Sequence, residues 1–264
     1  RIGFSAFTFM PGVALLIGFI DCRISIADSA VSHPEARRTI DWVRQEGGAK
    51  HDKIRGITVD AVGNCYVTGE FTDEANFSGR MLKSRGNMDF VLAKYSPEGK
   101  LLWLQTAGGA KIDRGYSVAV DAAGNSYVTG HFQSPEFWIG DKVFTNRGDY
   151  DYFVAKYDVD GEFQWAHRGG GKGYDYGHGI AVTPDGDVYV AGSFSGDVTF
   201  GEAKSTIAKG KSIFVARYRT DGQLVWSRLA GNDRSQSGHN IAVGPEGDCY
   251  VSGYVSGVVE LGNR

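Results

Sequence analysis

The chain has 264 residues, 38 of them glycine and only 6 proline, with 28 basic and 31 acidic side chains for a net charge of −3. The glycines follow no three-residue period, which excludes collagen, and 42% apolar residues with 15 Phe, 13 Tyr and 5 Trp exclude wholesale disorder. No basic surplus marks a nucleic-acid face, and Cys22, Cys65 and Cys249 supply neither a disulfide framework nor the Cys/His spacing of a zinc site.

Residues 2–20 carry no charge, and Arg1 precedes them. The dense apolar run Val13 to Ile20 has the length of a signal-peptide core, with small residues at Ala27, Ser29 and Ala30 suited to cleavage. We read residues 1–30 as a signal peptide or membrane anchor and 31–39 as a charged linker, which places the protein in the secreted, periplasmic or cell-surface class.

From residue 40 an internal repeat governs the chain. Trp42, Trp103, Trp165 and Trp226 are 61, 62 and 61 residues apart, and a glycine follows each at a spacing of five: Gly47, Gly108, Gly170 and Gly231. The segments GNCYVTG (63–69), GNSYVTG (124–130), GDVYVAG (186–192) and GDCYVSG (247–253) keep the same register. So do AKYSPEGKLLW (93–103), AKYDVDGEFQW (155–165) and ARYRTDGQLVW (216–226).

Each unit reads as strands. ITVD (57–60) alternates and turns into CYVTGEF (65–71). About twenty looser residues follow, and FVLAKY (90–95) then turns into KLLWLQ (100–105). The tight turns carry Gly63, Gly124, Gly186 and Gly247, then Gly99, Gly161 and Gly222, where hairpins need positive φ. Four hairpin-joined strands recurring every ~61 residues predict an all-β fold, a β-propeller of four-stranded blades. Three complete blades follow the lone strand at Trp42, and the fourth is half present at Arg264, so residues 40–264 read as about three and a half blades of an incomplete, longer propeller. The expected companions are the remaining blades or other domains of a longer chain.

The pattern D-x-x-G-N-x-Y-V-T-G, then F-V-A-K-Y, then D-G-x-x-x-W and a GG pair resembles the SBBP family of bacterial β-propeller repeats. The resemblance implies a propeller, usually in secreted or surface proteins, and no single activity. The spacing Ala93, Gly99, Trp103, repeated at Ala155, Gly161, Trp165 and at Ala216, Gly222, Trp226, also resembles the tryptophan-docking motif of quinoprotein propellers. Tyr95, Tyr157 and Tyr218 stand where that motif has Asp, so no quinone and no other cofactor is expected, and the shared part is a ring packing on the next blade.

In such a blade the tight turns share one face, and the long connections share the other. Any ligand site is therefore expected on the long-loop face. Aligning the connectors puts Asp52, Asp113 and Asp175 in one column with Gln236, and Arg55, Tyr116, His178 and His239 three columns on. Recurring in register, each Asp is expected to cap its own turn, whereas His178 and His239 depart from the repeat. The loop GGGKGYDYGHG (169–179) is the most distinctive connector. The candidate ligand-binding set is Tyr174, Asp175, Tyr176, His178, His239, Asp113, Arg114, Asp52 and Arg55. The GKG of 171–173 lacks the following helix of a phosphate loop, and Asp158-Val-Asp160-Gly161 reads as a hairpin turn rather than a calcium loop.

No nucleophile or metal motif is visible, so no catalytic or metal residue is assigned. The expected function is a non-catalytic extracellular or surface scaffold that binds a glycan or protein ligand and no nucleic acid. The alternatives are a propeller lyase, lactonase or hydrolase with its site at the axial end of the long-loop face, and a quinoprotein-like propeller.

Overall fold

A computed structural model describes residues 41–200, 210–231, 234–244 and 247–256, together with the backbone of 15–17 and 203–206. The leader and linker read from the sequence lie outside the described residues, save strand β1 (Leu15–Ile17), which pairs in parallel with β2 (Val43–Gln45). Every regular element described is a β-strand.

After β3 (Gly47–Gly48), the first unit runs β4 (Lys53–Val59), β5 (Cys65–Phe71), a hairpin of β6 (Glu74–Phe77) and β7 (Arg80–Lys83), then β8 (Asp89–Tyr95) and β9 (Leu101–Ala107). The second runs β10 (Asp113–Val120), β11 (Ser126–Phe132), a hairpin of β12 (Glu136–Ile139) and β13 (Lys142–Thr145), then β14 (Asp151–Tyr157) and β15 (Phe163–Gly170). The third runs β16 (Tyr176–Val182), β17 (Val188–Phe194), a hairpin of β18 (Asp197–Phe200) and β19 (Ala203–Thr206), then β20 (Ser212–Tyr218) and β21 (Leu224–Ala230). The antiparallel pair β22 (Gln236–Val243) and β23 (Cys249–Val255) begins a fourth. Each complete unit is an antiparallel meander, ordered β4-β5-β8-β9, β10-β11-β14-β15 and β16-β17-β20-β21. The seven turn glycines singled out above all adopt φ between 77° and 91°.

The segment between second and third strands is more ordered than its composition suggests. β6, β12 and β18 alternate exposed and buried residues, and they drive Phe77, Phe137 and Phe200 into the core. Phe137 stacks on Phe132 at 4.7 Å. Four-residue strands are too short for their period to stand out in a sequence. These hairpins also explain the GG pairs. Gly47 and Gly48 pair with Asn76 and Ala75, Gly108 bridges Trp138, and Gly169 and Gly170 pair with Phe200 and Thr199. The outer strand of each unit thus ends by clasping the hairpin of the next. A Cβ at Gly48 would lie 1.9 Å from the Glu74 carbonyl oxygen, so only glycine permits the approach.

A second tie lies at the tight-turn end. Trp42, Trp103 and Trp165 donate their indole N–H to Pro97, Val159 and Thr220 carbonyls of the next unit at 2.8, 3.0 and 3.0 Å, each ring lying over Gly99, Gly161 or Gly222. The expected ring packing on the neighbouring unit is therefore present three times.

Middle strands are enclosed on both faces, and every residue of β5, β8, β11 and β17 is buried. The polar residues in them, such as Glu70, His131 and Ser193, are therefore buried too. Burial depends on the neighbouring unit: Val118 and Ile180 are 6% exposed on the first strands of units two and three, whereas Ile57 of unit one is 52% exposed.

Candidate functional site

The first strands β4, β10, β16 and β22 each break register at one residue. The skipped residues are Arg55, Tyr116, His178 and His239. An extra residue in one strand leaves its side chain outside the alternation of the sheet and re-aims it. Because the bulge falls in the same column of every unit, the four side chains form a file across the units. The Arg55 guanidinium carbon sits 5.0 Å from the Tyr116 ring centre, Tyr116 lies 5.2 Å from His178, and His178 lies 5.5 Å from His239.

Two more columns complete the cluster. The residue after the second-strand glycine is Glu70, His131, Ser193 and Tyr254 in turn. Glu70 is fully buried and accepts two hydrogen bonds of 2.6 Å from Arg55, with Arg114 Nε 3.6 Å away. His131 is packed among Tyr116, Tyr150 and Tyr176 at 5.2, 4.6 and 5.0 Å. Tyr254 lies 5.7 Å from His239. The residue before the third strand is Met88, Tyr150 and Lys211 in turn. Arg114 donates to Met88 Sδ, Tyr150 packs on Tyr174 and Tyr176 at 5.4 and 5.5 Å, and the Lys211 ammonium sits 4.8 Å above the Tyr176 ring.

The electrostatics follow from burial. His131 is held well below the usual histidine range by burial, with Arg114, His178 and Arg55 adding to it. Burial, then His239 and Lys211, pushes His178 down to about 4. Both imidazoles are neutral at pH 7. Neither ring nitrogen of His131 has a hydrogen-bond partner, and neither has the buried Ser193 hydroxyl. The cluster is therefore aromatic and rich in unspent hydrogen-bond capacity; its cations are Arg55, held on Glu70, Arg114, 3.6 Å from the same carboxylate, and Lys211, which lies near enough to Asp175 to act on that carboxyl without an ion pair between them.

The sequence-predicted residues divide into two groups. Arg55, Arg114, Tyr174, Tyr176, His178 and His239 fall in this cluster. Asp52, Asp113 and Asp175 are buried in structural ties, as the turn-capping expectation has it. Asp52 accepts from Gly48 N and Thr72 N, and Asp175 from Gly171 N and Ser195 N. Asp113 accepts from Gly109 N, Gln133 N, Ser134 N and Ser134 Oγ. Each one joins the GG connector to the start of the next long loop, so those two connections share one end of the unit. The sequence reading missed Glu70, His131, Tyr150, Lys211 and Tyr254. For Glu70, His131 and Tyr254 the signal was one position that changes from Glu to His, Ser and Tyr after the glycine of an otherwise repeated YVxG segment; for Tyr150 and Lys211 it was the varying residue just before the third strand.

An open groove of about 420 Å³ lies elsewhere, between β2–β3 and the β6–β7 turn, where Glu46 accepts from Ser78 N and Oγ at 2.6 and 2.5 Å. It holds no comparable set of aromatic and titratable groups. Among the described residues no group of three or more His, Cys, Asp or Glu side chains is placed to hold a metal ion.

Comparison with known proteins agrees with the repeat. The chain is 26% identical over 201 residues to the regulatory protein FlaEY of Caulobacter vibrioides, an alignment covering 72% of this chain and 21% of that one. It is 25% identical over 290 residues to an uncharacterized WD repeat-containing protein of Acanthamoeba polyphaga mimivirus, covering 90% and 21%. The chain thus spans about a fifth of the length of these curated relatives. A solved protein of unknown function from Bacteroides caccae aligns over 76% of this chain and 53% of its own at 12% identity, with a TM-score of 0.37. The family model described as a beta-propeller repeat, SBBP, matches residues 41–77 and 103–131, within the first two of the repeated units.

Proposed function

We propose that the chain is a non-catalytic propeller scaffold, its units the blades, which binds a glycan through the cluster of bulged first-strand residues. The carrying observation is that Arg55, Tyr116, His178 and His239 stand at one bulge position in four successive units and touch in sequence. A purely structural repeat has no need to fill one column with four such different polar side chains. Tyrosine faces with adjacent imidazole and hydroxyl groups suit sugar rings, which offer C–H faces to stack and hydroxyls to bond. The charge-free run at 2–20 supports export or surface attachment.

The test is a glycan array and titration calorimetry with the purified chain, alongside His178→Ala and Tyr176→Ala proteins checked for an unchanged melting temperature. Binding lost in the variants supports the reading. Silence across the array, or capture of peptide ligands by the same residues, overturns the glycan assignment.

One observation favours an enzyme as a second reading. His178 is pushed down to about 4 and is therefore neutral at pH 7, which leaves it a nitrogen lone pair for use as a base on a bound ligand. Turnover of a bound glycan, lost in His178→Ala, would establish it.

A further inference from the structure

The charge pattern within the cluster narrows the ligand, given that the glycan reading holds. Arg55 is spent on Glu70 through two hydrogen bonds. Arg114 is held at one side by Met88 Sδ and stays 3.6 Å from the same carboxylate, with a quarter of its side chain exposed. Lys211 rests over Tyr176 at 4.8 Å and acts on the nearby Asp175 carboxyl without an ion pair to it. Both cations adjoin a tyrosine group, Tyr150, Tyr174 and Tyr176: Lys211 sits over Tyr176, Arg114 acts electrostatically on the same residue, and Tyr174 is 45% exposed. Beneath it His131, 1% exposed, has both ring nitrogens without partners.

We infer that this cluster binds a carboxylate-bearing sugar, a uronate-type residue of an acidic polysaccharide. The tyrosine rings offer a stacking face for a pyranose, and Arg114 and Lys211 supply positive charge for its carboxylate. His131, neutral and 1% exposed, holds one unspent donor and one unspent acceptor against the tyrosine rings, so a ligand hydroxyl that displaces a ring bonds to one of its nitrogens. A free phosphate or sulfate would use the cations but neither the stacking face nor the neutral imidazole. An apolar peptide would need an aliphatic surface that these residues do not form.

The probes are a tri-galacturonate and the same trisaccharide with its carboxyl groups reduced to alcohols, titrated into the intact chain and into Lys211→Gln and Tyr174→Ala proteins. Both variants change partly or largely exposed side chains, so folding is retained, and a melting curve verifies it. The expected result is binding of the acid at least tenfold tighter than of its reduced form, weakening with salt. A further loss of five- to tenfold is expected in each variant, with little competition from inorganic phosphate. Equal binding of acid and reduced forms overturns the acidic specificity while leaving the glycan reading intact. Full competition by phosphate shows a general anion site and also overturns it. No binding of either trisaccharide by a folded protein that binds other sugars on the array removes the uronate assignment alone. Silence toward all sugars removes both readings.

Discussion

Arg55 and Glu70 meet across β4 and β5 through two hydrogen bonds of 2.6 Å, and the carboxylate is fully buried. The pair fixes the bulged arginine at the edge of the candidate site. It also leaves Arg114 to share the same carboxylate at 3.6 Å, so one carboxylate serves two guanidinium groups.

Removing one partner of such a pair strands the other. Glu70→Ala should lower the unfolding free energy by about 3 kcal/mol, because two guanidinium groups lose their carboxylate in a poorly solvated place. Arg55→Met should cost a similar amount, since Glu70 is then buried without its bidentate donor. The double variant Arg55→Met/Glu70→Ala should lose clearly less than the sum of the two single losses, because only Arg114, a quarter exposed, is then left without its carboxylate. Urea denaturation of all four proteins checks this, and additive losses in the double variant would contradict it.

The tryptophan ties make a second prediction. Gly161 has φ of 84°, and a Cβ there would lie 2.7 Å from Trp103 Cδ2. Gly161→Ala should therefore destabilise by about 2 kcal/mol or more, from a left-handed backbone and a displaced indole. Trp103→Phe loses the 3.0 Å hydrogen bond to Val159 and part of the ring's contact, at about 1–2 kcal/mol. Both changes break the same joint between units one and two, so the double variant should lose less than the sum. Strict additivity in thermal unfolding would show that ring and turn do not form one contact.

How far the sequence revealed this depended on length and repetition. The seven-residue strands around Tyr66, Tyr127 and Tyr189 and the turn glycines recur in four or three copies, so their spacing alone identified the sheets. The hairpins at Phe77, Phe137 and Phe200 escaped because each strand has four residues and their composition differs between units. The bulge column Arg55, Tyr116, His178 and His239 was visible as a column that varies, but the bulge itself was not, since it adds no residue relative to neighbouring units. His131 and Glu70 were hidden for a different reason. They sit inside the best-kept strand, where attention falls on the repeated Tyr, Val and Gly rather than on the one position between them that changes.

Buried aspartates at the joints give the last prediction, on pH. Burial raises Asp113 and Asp151 to about 6, Asp89 to about 7 and Asp175 to about 8, against 3.8 for an ordinary aspartate. For Asp113 burial outweighs even its four donors, and Asp151 adds to the upward push on Asp175. In the folded protein these groups keep protons that the unfolded chain releases above about pH 4. Their contribution is thus complete at low pH and is lost as pH rises through the folded values, at most about 1.4 kcal/mol per pH unit for each group. His131, His167 and His178, all lowered, work in the opposite sense, and their contribution is lost as pH falls below 6.5. The window from pH 6.5 to 8.5 therefore isolates Asp89 and Asp175. The melting temperature should fall steadily across it, and Asp89→Asn/Asp175→Asn, which cannot ionise, should flatten that fall even if it shifts the whole curve. A flat or rising profile in the unmodified protein would mean that both carboxyl groups are already ionised at neutral pH, and that their backbone N–H donors outweigh burial.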